Sequence, residues 1–216
     1  MQLFETMKID NGHIPRLTYH TNRIKCSSER LNFKFDEHAW RNELNDVTTK
    51  YHSGQYRLKI VLNAESKFET IVSPLPEKSS FTAKFQVLPK VVNPTFIKNK
   101  TTERKHLAHN HETDLILLTS EDGKVLEFDI GNIVIEEDGK WYTPSYKDDF
   151  LKGCMRDYLI DSDKLVEKDF NKNELIYKYH NNEIRLFLIN SLREVADVHL
   201  VENDVKTNLK IKWGQI

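Results

Sequence analysis

The sequence predicts an α+β protein in two packed layers, organised as two domains. Short strand-like runs occur along most of the 216 residues, and the two longest helical patterns lie in the first quarter of the chain. Pro94 and several polar residues interrupt the pattern near the middle. We therefore expect a small N-terminal α+β domain at 1–92, a connection at 93–99 and a C-terminal domain at 100–216.

Alternation of apolar and polar residues predicts the strands. The first covers 3–9, and the turn Asp10-Asn11-Gly12 that follows it is typical of a hairpin, so a return strand is expected over 14–17. The remaining strands are predicted over 56–62, 68–72, 81–88, 115–119, 125–127, 132–136, 141–142, 186–189, 198–201 and 209–213. The last of these would complete the sheet.

Apolar residues at helical spacing predict two long helices near the N-terminus. Thr18 is a candidate N-cap for the first helix. Asp36 is a candidate N-cap for the second, which would run to about Tyr51 with Trp40 on its apolar face. Ser53-Gly54 would end it. Shorter helices are predicted over 103–111, 153–159 and 174–180.

Charge and composition restrict the classes of function. The chain has 33 acidic and 32 basic residues, so no strong net field would attract a nucleic acid or an anionic membrane. It contains no apolar run of membrane-spanning length, no visible signal peptide and only 2 cysteines. His106, His109 and His111 have no carboxylate or cysteine at ligand spacing. We expect a cytoplasmic protein without a metal site.

Candidate catalytic residues begin with Lys100 and Glu127. A lysine is the side chain that bonds covalently to an aldehyde cofactor and can then act as a base. Lys100 stands in a polar connector, however, and Glu127 stands at the end of a strand, so each residue taken singly also fits an ordinary solvated surface. From the residue types alone, the chemical and the surface interpretations stay open.

The order of several motifs is more specific than any single residue. The chain contains K-T-T-x-R from Lys100 to Arg104, E-x-x-x-x-N from Glu127 to Asn132, then T-P, and finally G-x-x-R beginning at Gly153. This series resembles the class IV aminotransferase family of pyridoxal-phosphate enzymes, which have fold type IV. Within that family, the sequence is most similar to the aminodeoxychorismate lyases.

Other segments extend the resemblance over nearly the whole chain. Phe4-Glu5-Thr6 is similar to the family's F-E-T or F-E-G segment, and the helix that contains His20 and Arg23 is similar to its H-x-x-R-L-x-x-S helix. Asn190-Ser191-Leu192-Arg193 resembles its N-S-L-R-G turn. The resemblance implies a D-amino-acid aminotransferase-like fold, with a small N-terminal α/β domain and a larger C-terminal pseudo-barrel domain.

The resemblance also implies pyridoxal 5′-phosphate as the cofactor and assigns roles to residues. Lys100 would hold the cofactor covalently and move protons, and Glu127 would keep the pyridine nitrogen protonated. Donors at two turns would bind the phosphate, where a helix N-terminus favours an anion. These donors are the amides of Gly153, Cys154 and Met155 and the Ser191 hydroxyl, and the Leu192 amide would face either the phosphate or a substrate carboxylate. His20 and Arg23 are expected to orient the small domain.

The chain departs from the family pattern in three places. Lys59 stands where the family carries an arginine for the phosphate, and Arg57 on the same strand face is an alternative. Asp129 stands where a small residue or threonine is usual. The family's G-D-G segment is not found before Phe4, which places the substrate contacts of that wall in question.

The resemblance implies three possible functions. The first is a lyase that converts 4-amino-4-deoxychorismate to 4-aminobenzoate and pyruvate, with Lys100 as the base and with Phe4, Thr6 and Arg104 as candidate substrate contacts. The second is a branched-chain or D-amino-acid aminotransferase, which the absence of K-x-G-G-N-Y disfavours. The third is a binding protein of the same fold without a cofactor. The family also implies a homodimer.

Overall fold

A computed structural model of the chain describes residues 1–75, 77–90 and 92–201, which form two sheets with helices packed against them. The strands are β1 Leu3–Asp10, β2 Gln55–Leu62, β3 Phe68–Pro74, β4 Ser80–Val87, β5 Leu115–Thr119, β6 Val125–Phe128, β7 Gly131–Glu137, β8 Lys140–Thr143, β9 Val166–Glu167, β10 Ile184–Asn190 and β11 Glu194–Leu200. The helices are α1 Leu17–Arg30, α2 Glu37–Lys50, α3 Pro94–Lys98, α4 Cys154–Asp161 and α5 Lys172–His180. No helix among these described residues is long and apolar enough to cross a membrane.

The N-terminal sheet is antiparallel in the order β1-β2-β3. Every second residue of β1 is buried, as the alternating sequence predicts, and the register places Met7 opposite Leu58 in the core. The buried faces of α1 and α2 contribute Ile24 and Trp40 to the same core. The Asp36 side chain accepts a hydrogen bond from the Ala39 amide at 3.0 Å, which confirms it as the N-cap of α2.

The prediction for 14–17 is wrong. The hairpin after β1 closes within one pair, where Asp10 and His13 exchange backbone hydrogen bonds, and Ile14 then enters the core instead of continuing a strand. The N-cap of α1 is Arg16, with φ 59°, and not Thr18. Arg16 therefore adopts the left-handed conformation, which is uncommon for residues other than glycine.

The larger sheet closes into a barrel. Its order is β10-β11-β4-β5-β6-β7-β8-β9, and β10 also pairs with β7. Six strands therefore form a closed ring, and β8 and β9 extend it on one side. The barrel core contains mostly alternating apolar residues from these strands, among them Leu117, Phe128 and Leu188. The predicted α+β class is confirmed.

Strand β4 lies within the predicted 1–92 segment but pairs with β5 and β11 of this larger sheet.

The segment after the connection is extended and not helical as predicted over 103–111. Phe4 N donates to Lys100 O at 3.0 Å and Thr102 N donates to Gln2 O at 2.9 Å, so the chain pairs with the start of β1 here. The helix predicted over 103–111 is wrong, because only a short 3₁₀ helix, Lys105–Leu107, forms within that stretch. The predicted strand over 209–213 lies outside the described residues.

We predict that Leu58→Ala lowers the free energy of unfolding by about 3 kcal/mol, because it leaves a cavity where a fully buried leucine packs between β1 and the helices. The measurement is urea denaturation followed by circular dichroism. The control is Ile71→Ala on the neighbouring strand β3, where 41% of the residue is exposed and the loss should be about 1 kcal/mol or less. Equal losses would contradict the core assignment.

Candidate active site

A cavity of about 310 Å³ lies between the N-terminal sheet and the barrel. Its walls come from β1, α1 and β2 on one side and from the barrel strands and the start of α4 on the other. Most residues that the sequence assigns to cofactor or substrate line it, namely Phe4, Thr6, Arg57, Lys100, Arg104, Glu127, Gly153, Cys154, Ser191 and Leu192. Lys59 and Met155 do not line it.

Lys100 is held in the cavity wall by its own backbone, which pairs with β1. Its Nζ atom lies 4.9 Å from the centre of the Phe4 ring. Desolvation, together with the positive charges of Arg104 and Arg23, lowers the pKa of Lys100 to about 7. A substantial fraction of the amine is therefore unprotonated at neutral pH, as a nucleophile or a base requires.

Glu127 faces the same cavity from β6 and is 6% exposed. One carboxylate oxygen accepts a hydrogen bond from the Leu151 amide at 3.0 Å. Desolvation raises the pKa of Glu127 to about 7, although this hydrogen bond and the Arg104 charge act in the opposite direction. The cavity thus contains an acid and a base that both titrate near neutral pH, which is typical of catalytic sites.

The start of α4 and the turn after β10 line one end of the cavity, which is called the anion-binding end for the donors it contains. Helix α4 begins at Cys154 and has no side-chain N-cap, so its first amides have no cap partner in the part of the chain described. The Ser191 residue is 6% exposed, and its hydroxyl is buried without a hydrogen-bond partner among the described residues. These groups are suited to bind the oxygens of a phosphate.

Two predicted phosphate ligands need correction. The Gly153 amide donates to Asn132 Oδ1 at 2.9 Å, and the Leu192 amide donates to Asn190 Oδ1 at 3.0 Å. Both donors are therefore already used inside the protein. The Met155 side chain packs in the apolar cluster beneath α4, whereas its amide, the predicted donor, lies in the first turn of that helix and stays a prediction.

Arg23 is a cavity-lining cation that the sequence assigned only to orienting the small domain. It lines the cavity, and its Nη1 atom donates at 3.2 Å to the carbonyl of Lys152, which directly precedes the N-cap of α4. Arg57 also lines the cavity, whereas Lys59 does not. The Nζ atom of Lys59 lies 4.9 Å from the centre of the Phe4 ring. Since Arg23 adjoins the helix start, it is the better placed of these cations for a phosphate. The H-x-x-R spacing was the available signal.

Arg23 is held by a buried network with Glu5 and His20. It donates to the two Glu5 oxygens at 2.8 and 2.5 Å, and His20 Nδ1 lies 2.7 Å from Glu5 Oε2. Burial alone would raise the pKa of Glu5, but Arg23 and His20 lower it to about 2. The carboxylate is therefore charged and fixes the guanidinium in place.

Cys154 adjoins this network, with its Sγ atom 3.5 Å from His20 Nδ1. Ligand atoms of Glu5, His20 and Cys154 lie within 4.8 Å of one another, a grouping that sequence spacing did not reveal. The Arg23 guanidinium already pairs with the carboxylate, and burial raises the pKa of the Cys154 thiol to about 12. The arrangement is thus suited to an ion-pair network with a neutral thiol.

Two further motif residues stabilise the protein around the site. Asp129 lines the cavity, but its Oδ1 atom accepts from the Ile116 amide at 3.2 Å and its Oδ2 atom lies 3.5 Å from His109 Nε2. Arg156, at the end of G-x-x-R, is fully buried, donates to the carbonyl of Pro144 at 3.0 Å and pairs with Glu167. It therefore anchors α4 to the barrel.

The fold and the motifs together define a class IV aminotransferase fold with a lysine in its cavity. A model of the amino-transferase class IV family matches residues 2–201, and the chain therefore belongs to this family. The predicted family is confirmed. Proteins related to this chain carry both lyase and aminotransferase names.

A Schizosaccharomyces pombe protein that bears the provisional name aminodeoxychorismate lyase is 26% identical over 204 residues, which cover 90% of this chain and 87% of that protein. A solved structure from Mesorhizobium loti, provisionally named an amino-acid aminotransferase, has a TM-score of 0.78 at 23% identity and covers 93% of this chain and 99% of that one. A hypothetical aminotransferase from Mycobacterium tuberculosis in a PLP-bound form has a TM-score of 0.76 at 19% identity, covering 92% and 81% of the two chains. The likeness to these structures shows the fold.

We predict that reductive methylation of Lys100 by formaldehyde and cyanoborohydride rises with a midpoint near pH 7, because only the unprotonated amine reacts. In Arg104→Met, the midpoint should move to higher pH, since the lost cation no longer destabilises the ammonium form. Peptide mass spectrometry across a pH series measures both midpoints. A midpoint near that of an exposed lysine in both proteins would contradict the environment described for Lys100.

Proposed function

We propose that this protein is a pyridoxal-5′-phosphate-dependent lyase that converts 4-amino-4-deoxychorismate to 4-aminobenzoate and pyruvate. The observation that carries the proposal is the placement of Lys100, with a pKa near neutrality, in one cavity with Glu127 and an anion-binding end. The relative from Schizosaccharomyces pombe supports the lyase assignment through its provisional name and its coverage of 90% of this chain.

The residues present fit the cofactor. The first turn of α4, the unpartnered Ser191 hydroxyl and Arg23 would hold its phosphate, and Glu127 would contact its pyridine nitrogen. Lys100 would bond to its aldehyde carbon. When bound, the cofactor supplies an electron sink for the charge left on the amine-bearing carbon of a substrate.

Lys100 would carry out both proton transfers. Its neutral amine takes the proton from the amine-bearing ring carbon of the substrate, and the ring gains aromaticity as the bond to the enolpyruvyl oxygen breaks. The ammonium of Lys100 then returns the proton to the methylene carbon of the departing fragment, which becomes pyruvate. Atoms balance without an oxidant or a water molecule, and Lys100 ends in its starting state.

Substrate binding would use the cations on the other side of the cavity. The substrate is a dicarboxylate, and Arg104 and Arg57 both line the cavity close to Phe4 and Thr6 of β1. Arg104 is oriented by a hydrogen bond from its Nη2 atom to the Asp129 carbonyl at 2.9 Å, which leaves its other nitrogen donors for a carboxylate. The apolar face of Phe4 would contact the six-membered ring.

An aminotransferase for branched-chain or D-amino acids is the second candidate. The family membership and the likeness to solved aminotransferases favour it, and the same Lys100 and Glu127 would serve both reactions. The two candidates differ in the step after the first proton transfer, since the lyase expels a leaving group whereas the aminotransferase requires water and a keto acid. The chain lacks the K-x-G-G-N-Y form of the branched-chain enzymes.

The proposal includes a homodimer in the cytoplasm with a small-molecule substrate. The family resemblance supports the dimer, as does Ile130, an apolar cavity-lining residue that is 46% exposed and that a second copy could cover. The thiols of Cys26 and Cys154 are both free, as a reducing compartment allows. Light scattering coupled to gel filtration measures the mass of the particle.

We predict that the protein loaded with the cofactor releases pyruvate from 4-amino-4-deoxychorismate, and that Lys100→Ala lowers the rate by about 10³-fold or more because it removes the base and the covalent anchor. Coupled reduction of pyruvate by lactate dehydrogenase measures the rate. The matched control is Lys98→Ala, which removes a lysine two residues away that pairs with Asp148 at 3.1 Å. Its rate should stay within about twofold of the natural protein.

Other outcomes separate the alternatives. A lysine-dependent absorbance of bound cofactor without pyruvate release would reject the lyase and favour the aminotransferase, which a keto-acid exchange assay then tests. Neither absorbance nor release would favour the binding protein without cofactor.

A further inference from the structure

Arg16 connects the two elements that form the anion-binding end of the cavity. It precedes α1, and its Nη2 atom donates to the carbonyl of Ser191 at 3.5 Å and to Glu194 Oε1 at 3.2 Å. The carbon at the centre of its guanidinium lies 5.8 Å from the centre of the Tyr158 ring on α4. One side chain therefore contacts both the turn that carries the Ser191 hydroxyl and the helix that begins at the cavity-lining Cys154.

Glu194, the partner of Arg16, has a backbone conformation that favours glycine. Its φ is 61°, in the left-handed region, and it occupies the glycine position of the N-S-L-R-G turn. An L-residue with a side-chain Cβ is strained in this conformation. The chain thus places a carboxylate here against the preference of the backbone, and the carboxylate meets Arg16.

The turn between Asn190 and Glu194 is held by its own hydrogen bonds and by the barrel. Asn190 Oδ1 accepts from the Leu192 and Arg193 amides at 3.0 and 2.7 Å, which fixes the shape of the turn internally. Asn190 Nδ2 also donates to the Ile130 carbonyl at 3.1 Å, and none of these bonds reaches α4. Arg16 contacts both sides and would therefore set the separation between the Ser191 hydroxyl and the α4 amides.

One donor of the Arg16 side chain is buried and unsatisfied. It is 9% exposed, and its Nε atom is buried without a hydrogen-bond partner among the described residues. An unmet buried donor destabilises the folded protein. Arg16 contacts both the Ser191 turn and α4 in this position, although its Nε donor is left without a partner.

We propose that Arg16 is a positioning residue for phosphate binding, which holds the Ser191 turn at the distance from α4 that lets both bind one phosphate group. Glu194 fixes the guanidinium in this position. Neither residue lines the cavity, so both act through Ser191 and α4. The inference rests on the proposed function only in requiring that a phosphate group binds at this end of the cavity.

The test compares three ligands, namely inorganic phosphate, pyridoxal 5′-phosphate and pyridoxal, which lacks the phosphate. For Arg16→Met we expect about tenfold weaker binding of the two phosphate ligands and unchanged binding of pyridoxal. A loss of this size is typical when a residue that supports a binding group is removed. Fluorescence titration and thermal shift measure the dissociation constants. Loss of a residue with only a structural role would weaken pyridoxal binding as well. The decisive quantity is therefore the ratio between the dissociation constants of pyridoxal 5′-phosphate and pyridoxal.

Two further variants make the result independent of a folding defect in Arg16→Met. Glu194→Ala removes a half-exposed carboxylate and should weaken phosphate binding in the same selective way. The double variant should bind no more weakly than Arg16→Met alone, because both changes disrupt one contact. The matched control is Lys178→Met, which removes a lysine that bridges Glu137 and Glu174 outside the cavity. It should alter the melting temperature without altering the ratio.

The outcomes distinguish this inference from the proposed function. If the natural protein binds neither phosphate nor pyridoxal 5′-phosphate, the cofactor role and the positioning role are both overturned. If it binds both but Arg16→Met and Glu194→Ala leave the ratio between pyridoxal 5′-phosphate and pyridoxal unchanged, only the positioning role is overturned.

Discussion

The site depends on the two hydrogen bonds that the side-chain amide of Asn132 makes. It lies at the start of β7 and is 2% exposed, and its Oδ1 and Nδ2 atoms bond to the Gly153 amide and the Leu151 carbonyl at 2.9 and 3.0 Å. A Cβ at position 153 would lie 2.2 Å from Asn132 Oδ1, so the contact requires glycine. One buried amide thus fixes the segment before α4 against the barrel, and with it the Leu151 amide that binds Glu127.

Burial then gives the two central groups their properties. Lys100 and Glu127 both move toward a pKa of about 7, in opposite directions, because desolvation penalises the charged form of each. Glu5 is buried as well but is paired by Arg23, and its pKa falls to about 2. The difference lies in the partners, since a carboxylate with a bidentate guanidinium keeps its charge whereas Glu127 has one backbone donor.

The sequence located the site more accurately than it assigned contacts within it. The motifs placed Lys100, Glu127 and Ser191 in one cavity, and the structure brings them together there. The Gly153 and Leu192 amides, however, are used by Asn132 and Asn190. A side-chain acceptor competes with a ligand for a backbone donor whenever geometry allows, and that geometry is set by the surrounding fold.

By itself, the sequence determined the α+β class, most strands of both sheets and the family, because apolar periodicity and the order of the motifs are properties of the chain. Only the tertiary structure decided the closure of the barrel through β7 and β10, the extended path after Lys100 and the position of Arg23 at the start of α4. Each of these depends on a contact between residues that are distant in sequence. Local propensity carries no information about such contacts, because the energy of a hydrogen bond or an ion pair depends on which groups the fold brings together.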